Sequence, residues 1–264
     1  MVKEVVAFLE PAPGKVLVDC TLGFGGHAEA LLKAGAKVIG IDRDPEAGYP
    51  GIQVIRDNFA NLDKIIKEPV DGFLFDLGVS SHQIDKAERG FSIRLEGPLD
   101  MRMDQSRGKT AADLINGLSP KELEKIFGEY GEERFSGRIA RRIGEARERD
   151  RIETTGQLCQ IVEGAIPTWR KRESVSRIFQ ALRIAVNSEL DNLRQALAAV
   201  PEKLKPGGRV VVISYHSLED RIVKQTFKNG ILKALTKKPV TPAAEEIEAN
   251  PRARSAKLRA AEKR

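Results

Sequence analysis

The chain has 264 residues, 41% hydrophobic and 31% charged, which suits one large or two smaller folded domains and excludes a disordered protein. No apolar run reaches the roughly 18 residues that span a bilayer. Residues 1–11 are broken by Lys3, Glu4 and Glu10 and do not read as a signal peptide, so a cytoplasmic protein with no membrane partner is expected. The net charge of +6 is modest and excludes neither a small-molecule nor a polyanionic partner.

In chain order, the first hundred residues alternate strand and helix signals. Val16-Leu17-Val18 ends at Asp19, and a glycine-rich turn leads into a helix from His27 to Lys33. A second strand over 38–41 ends at Asp42. A third covers 52–55, with a helix predicted over 59–67, and a fourth over 72–75 ends at Asp76. Strands alternating with helices predict an α/β doubly wound sheet. Only seven residues separate Asp44 from Ile52, whereas a parallel crossover normally takes a dozen or more. Either an extended loop replaces the helix there, or the connection has lost residues.

From Thr110 the pattern turns helical. Ser119-Pro120 with Glu122 opens one helix by an N-cap and a proline at its first position. Helices over 132–147, 155–165 and 174–200 follow. Pro206-Gly207-Gly208 then turns into a buried strand over 209–214. The expected organisation is a sheet domain of residues 1–104 and 187–264 with an inserted helical substrate-recognition domain, 105–186.

Charge follows the same division. Residues 250–264 hold six basic groups against Glu262 alone, and residues 105–186 hold 16 basic against 12 acidic, leaving the remainder slightly acidic. Insert and tail therefore read as polyanion-binding attachments on a small-molecule domain. Arg138, Arg141 and Arg142 fall at helical spacing, and Arg170, Lys171 and Arg172 cluster beside Trp169, whose indole is expected to pack inward rather than stack on a base. Cys20 ends an apolar strand and reads as a small buried hydrophobe. His27, His82 and His216 lie at no metal-ligand spacing from Cys20, Cys159 or one another, so no metal is expected.

The stretch Asp19-Cys-Thr-Leu-Gly23-Phe-Gly25-Gly26-His27 follows a strand and opens a helix, where free N–H groups favour an anionic group of a ligand. Its spacing is not the dinucleotide fingerprint. Asp19 would repel a pyrophosphate and attract an ammonium, and Asp42 ends a strand where an acid hydrogen-bonds ribose hydroxyls. With Asp76, three strand-terminal acids suit a cationic, phosphate-free cofactor, namely S-adenosylmethionine.

Asp76-Leu-Gly-Val-Ser-Ser-His-Gln83, Glu88-Arg-Gly-Phe-Ser92, Gly97-Pro-Leu-Asp-Met-Arg-Met-Asp104, Phe179-Gln-Ala-Leu-Arg-Ile184, His216-Ser-Leu-Glu-Asp-Arg221 and Asn250-Pro-Arg-Ala-Arg-Ser255 together resemble the bacterial 16S rRNA (cytosine-N4) methyltransferases, the RsmH or MraW family. The resemblance implies a Rossmann-like class I methyltransferase sheet with an inserted all-helical domain. It also implies methyl transfer from S-adenosylmethionine to a cytidine of 16S rRNA, free or in the small ribosomal subunit. Its cofactor contacts carry over to Gly25, Gly26, His27, Asp42, Phe59, Asp76 and Gln83. His82 departs from the proline often found at that position.

The catalytic residue stays open, with Ser80 and His216 as candidates. Ser80 would accept a hydrogen bond from the target amine, and His216 either takes the departing proton or simply caps a helix. Two rival functions remain: a non-catalytic rRNA-binding assembly factor, and a small-molecule methyltransferase on the same fold.

Overall fold

A computed structural model describes residues 1–264, which divide into two compact units, Met1–Gly78 with Leu190–Arg264, and Val79–Glu189. The first unit is built on strands β1 (Val16–Asp19), β2 (Lys37–Asp42), β3 (Gln53–Arg56), β4 (Val70–Asp76), β5 (Leu204–Ser214), β6 (Leu232–Ala234) and β7 (Lys257–Lys263). They form one sheet in the order β3-β2-β1-β4-β5-β7-β6, with the first five parallel and β7 antiparallel to both neighbours. Strand order reverses between β1 and β4, the switch point where open α/β sheets bind ligands beyond the carboxyl ends of their strands.

Strand formation follows the apolar runs. Phe73, Leu74 and Phe75 of β4 and Val210 to Ile213 of β5 are buried, as befits parallel strands covered on both faces. Two helices, α1 (Val2–Leu9) and α2 (Gly26–Lys33), supply Val5, Leu9 and Leu31 to a core shared with Leu17, Val38, Leu74 and Ile213. After β3, a 3-10 turn over Phe59–Asn61, capped by Asn58, runs into the short α3 (Leu62–Ile65) instead of a single helix over 59–67.

The β2–β3 connection contains no helix. Loop residues 43–52 are held by Arg56, whose guanidinium donates to the carbonyls of Asp44 (2.8 Å) and Ala47, and by the Gly48 N–H, which donates to Gly23 O at 2.8 Å. An extended loop thus takes the place of the crossover helix.

The second unit is all-helical: α4 (Ser81–Asp85), α5 (Ala111–Gly117), α6 (Pro120–Gly131), α7 (Ser136–Arg147), α8 (Thr155–Ala165) and α9 (Lys171–Asn187). Thr110, Ser119 and Thr154 start α5, α6 and α8 with reciprocal capping boxes, each an S/T followed three residues later by Asp, Glu or Gln. Leu123, Phe127, Ile139, Ile143, Leu158 and Ile178 form its core.

Sequence reading began this unit at 105, whereas the structure begins it at Val79. Phe91, Leu99, Met101 and Met103 lie in the helical core, and the Asn187 side chain clamps their backbone, accepting from Met103 N at 2.9 Å and donating to Met101 O at 2.7 Å. Helical periodicity is absent from residues 86–104, so nothing local assigned them to a helical body.

Three further differences concern the C-terminal half. The helix expected over 174–200 is two, α9 and α10 (Glu189–Lys203), separated by Ser188 at φ 51°. After β5 come α11 (Ser217–Lys228) and α12 (Ala244–Ala249). The basic tail is no free arm, because residues 257–263 form β7 between β5 and β6. Arg259 is buried against Asp220, with Nε–Oδ1 2.6 Å and Nη2–Oδ2 3.2 Å. Lys263 Nζ donates to Leu204 O at 2.6 Å. Two of the six tail cations therefore serve the fold, and Arg252, Arg254 and the terminal Arg264 are the tail arginines that stay exposed.

Candidate cofactor site

Asp19, Asp42 and Asp76 end β1, β2 and β4, three adjacent strands of the parallel sheet. Thr21 ties two of these ends together: its Oγ1 accepts from Asp76 N at 2.7 Å and lies 3.4 Å from Asp19 Oδ1. Asp19 is buried, and its carboxyl is pushed up to about 6, chiefly by desolvation and further by the Asp76 and Asp42 charges, against the opposing Thr21 N–H and His27.

His27, in the first turn of α2, sets Nε2 3.4 Å from Asp76 Oδ2, while its Nδ1 is buried without a hydrogen-bond partner. Burial opposes its charged form, but the Asp76 and Asp19 carboxylates outweigh it and raise the imidazole above its usual range. The other Asp76 oxygen accepts from Tyr215 OH at 2.9 Å. Burial first, then Asp76, drives the Tyr215 phenol far above its ordinary range, so it stays a donor.

The glycine loop is shaped by two neighbours. Asp42 Oδ2 accepts from Gly23 N at 2.8 Å and Oδ1 from Asp44 N at 2.9 Å, so this acid organises the loop. Gly25, at φ +80°, caps α2 beneath Tyr49, and a Cβ there would lie 2.5 Å from the tyrosine's own Cβ. A side chain at Gly25 therefore strikes Tyr49 before any ligand. At Gly26 a Cβ would meet nothing within 4 Å, which makes Gly26 the position where the backbone is open to approach.

Phe59 is half-buried, edge-on to the Phe75 ring with centroids 5.7 Å apart and planes at 89°. That packing fixes the ring after β3 without enclosing it. His216 sits at the N-terminus of α11, its buried imidazole Nε2 3.2 Å from Glu219 Oε1. Glu219 Oε2 accepts from Tyr215 N at 2.8 Å, which orders the turn after β5.

The first unit thus brings together Gly25, Gly26, His27, Asp42, Phe59 and Asp76. Ser80 and Gln83 belong to the helical unit, where each caps α4 for the other: Ser80 N donates to Gln83 Oε1 at 3.0 Å and Gln83 N to Ser80 Oγ at 3.2 Å. Thr21, Tyr49 and Tyr215 stand against these residues, and sequence reasoning passed over them. For Tyr215 a signal existed, since it directly follows β5, the strand beside β4.

Replacing Asp42 tests the site. Asp42→Ala removes the carboxylate expected to accept from ribose hydroxyls and leaves the Gly23 and Asp44 N–H groups without their partner, so cofactor affinity should fall by about 1–3 kcal/mol. Asp42→Asn keeps one acceptor oxygen and should lose less. Unchanged affinity in calorimetry for both variants contradicts the ribose assignment.

Comparison with known proteins places the chain. The family model described as the MraW methylase family matches residues 1–264. The Ribosomal RNA small subunit methyltransferase H of Deinococcus deserti is 51% identical over 273 residues, covering 98% of this chain and 91% of that protein. The protein of the same name from Pelobacter propionicus is 47% identical over 303 residues, covering 100% and 97%. A solved rRNA methylase from Streptococcus thermophilus aligns at 13% identity and a TM-score of 0.45, over 99% of this chain and 93% of that one.

Proposed function

The chain belongs to the MraW methylase family and is a methyltransferase; we propose that it methylates the exocyclic N4 amine of a cytidine in the decoding region of 16S rRNA, using S-adenosylmethionine. The observation that carries the cofactor is the trio of strand-terminal carboxylates with Asp19 held near 6 by burial and by its acidic neighbours. A pyrophosphate would raise that tension, whereas a ligand bearing an ammonium and a sulfonium relieves it.

The residues present fit such a ligand. S-adenosylmethionine supplies an electrophilic methyl group on a positive sulfur. Asp19 and Asp76 balance positive charge, Asp42 accepts from the ribose hydroxyls, and the Phe59 ring offers an apolar face for the adenine. Gly26 lets the backbone come close to the amino-acid end. The role of the protein is to orient the target amine and exclude water, for which no strong base is obligatory. Tyr215 and His27 hold Asp76 from either side and so fix the direction in which its carboxylate presents charge.

The substrate side rests on the helical insert and its exposed arginines. Arg138, Arg141 and Arg142 are exposed on α7, with Arg141 and Arg142 sharing Glu145 at 3.7 and 3.1 Å. Exposed cations so weakly neutralised suit phosphate contacts, which position an RNA without reading its sequence. Arg147 on the same helix donates instead to Ile115 O and Leu118 O, both at 2.6 Å, and serves the fold.

Purified protein, tritiated S-adenosylmethionine and small ribosomal subunits lacking the modification should yield label in N4-methylcytidine on nucleoside analysis. Label in another nucleoside overturns the position. Transfer to a small molecule without RNA favours a metabolite methyltransferase, and RNA binding with no cofactor binding favours an assembly factor.

A further inference from the structure

Trp169 is the single tryptophan of the chain and its most exposed large hydrophobic side chain, at 73%. This corrects the expectation that it packs inward: the indole gains almost nothing from burial in the helical unit. The side chain is nonetheless placed with some order. It sits in a 3-10 turn, Thr168–Arg170, closed by Arg170 N donating to Pro167 O at 3.0 Å, between α8 and α9. The Arg170 guanidinium lies 4.6 Å from the indole centroid, a cation–π contact that backs the ring. Glu173 steadies this arginine at 3.6 Å, and its other oxygen binds Arg177 at 2.7 Å. Lys171 and Arg172 follow directly, with Arg172 exposed.

We infer that Trp169 is a stacking platform for one unpaired base of the RNA substrate, with Arg170, Lys171 and Arg172 engaging the flanking phosphates. The inference rests on the reading of ribosomal RNA as substrate. An exposed aromatic ring costs little to immobilise and offers a flat face to any base, while three consecutive cations complement a backbone and not an apolar protein surface. The guanidinium against the indole adds charge to the platform, so one ring face is supported and the ring's remaining exposed surface is available. A double helix hides its base faces, so the platform selects single-stranded or looped RNA.

Because no other tryptophan is present, fluorescence excited beyond the tyrosine absorption band reports on this site alone. Titration of the full-length protein with a single-stranded oligoribonucleotide of mixed sequence should quench the emission, while a duplex of the same sequence should leave it nearly unchanged. By filter binding, Trp169→Ala should weaken single-strand affinity about tenfold and Trp169→Phe less than about threefold, the range of one base–aromatic stack. Both variants should melt at the wild-type temperature, since the ring is exposed. With small subunits, Trp169→Ala should raise KM and leave kcat unchanged.

Equal affinities for wild type and Trp169→Ala, without quenching, overturn the platform while methyl transfer by the wild type leaves the proposed function standing. Loss of affinity for assembled subunits but not for deproteinised rRNA also overturns it, by assigning the indole to a ribosomal protein. Wild-type protein that neither binds RNA nor methylates subunits overturns both readings at once.

Discussion

Truncation after Ala249 should abolish cooperative folding of the sheet unit, not merely reduce RNA affinity. Residues 257–263 form β7, paired through six positions with β5, from Arg209↔Glu262 to Ser214↔Lys257, and through three with β6. Leu258, Ala260 and Ala261 are fully buried. Without β7, the backbone of β5 becomes a long exposed edge, β6 has no partner, and Asp220 loses Arg259. Such an edge is a template for aggregation. The expected result is insoluble protein, or soluble protein without a sharp thermal transition. Arg259→Ala isolates one part of the effect: it leaves Asp220 largely buried with no cation, a change that typically costs about 3–5 kcal/mol. A soluble truncated chain that melts cooperatively and binds cofactor normally contradicts this account and restores the tail to the surface.

Asp19→Asn should make the cofactor-free protein more stable and a poorer binder, with a pH signature that identifies the cause. The folded-state carboxyl is raised to about 6 from its ordinary 3.8. Below pH 4 the group is protonated in both folded and unfolded chains and costs nothing. Between 4 and 6 the folded chain retains a proton that the unfolded chain has lost, so stability falls as pH rises through that window. Above 6 the penalty is constant, on the order of 3 kcal/mol for a shift of about two units. The melting temperature of Asp19→Asn minus that of wild type should therefore grow from pH 4 to 6 and then level, reaching roughly 5–10 °C for a chain of this size.

Cofactor affinity should move the opposite way. A cationic ligand draws the Asp19 proton off, so wild-type affinity should weaken as pH falls below 6, with proton release measurable by calorimetry in buffers of different ionisation heat. In Asp19→Asn the affinity should be lower and lack this Asp19-linked pH dependence. No gain in stability together with undiminished affinity contradicts the placement of a positive group beside Asp19. The pair of results would show a stability cost retained for binding, as is common where charges are preorganised for a ligand.

Much of the cofactor half was legible in the sequence because its determinants are local. Apolar runs that end in an acid mark β1, β2 and β4, and the glycine-rich turn can only follow the first of them. Ser119, Thr110 and Thr154 start helices by hydrogen bonds that span three residues, so the capping signal is complete within the motif. The acids at the strand ends converge because parallel strands all finish on the same edge of a sheet.

What the tertiary structure alone decided involves partners distant in the chain. Lys-Leu-Arg-Ala-Ala-Glu-Lys reads as a soluble basic segment until Asp220, 39 residues earlier, neutralises Arg259 and Arg209 pairs with Glu262. Residues 86–104 carry no helical period, and the backbone at Met101 and Met103 is held in the helical core by Asn187, more than eighty residues away. Tyr215 became part of the site only when β5 settled beside β4 and brought its hydroxyl to Asp76. Trp169 shows the converse: a large apolar side chain predicts burial on average, and only the packing of α8 and α9 reveals that the turn between them leaves it in water. Local hydrogen bonds and periodicity are written in neighbouring residues, whereas the pairing of charges and the filling of a core depend on which surfaces folding brings together.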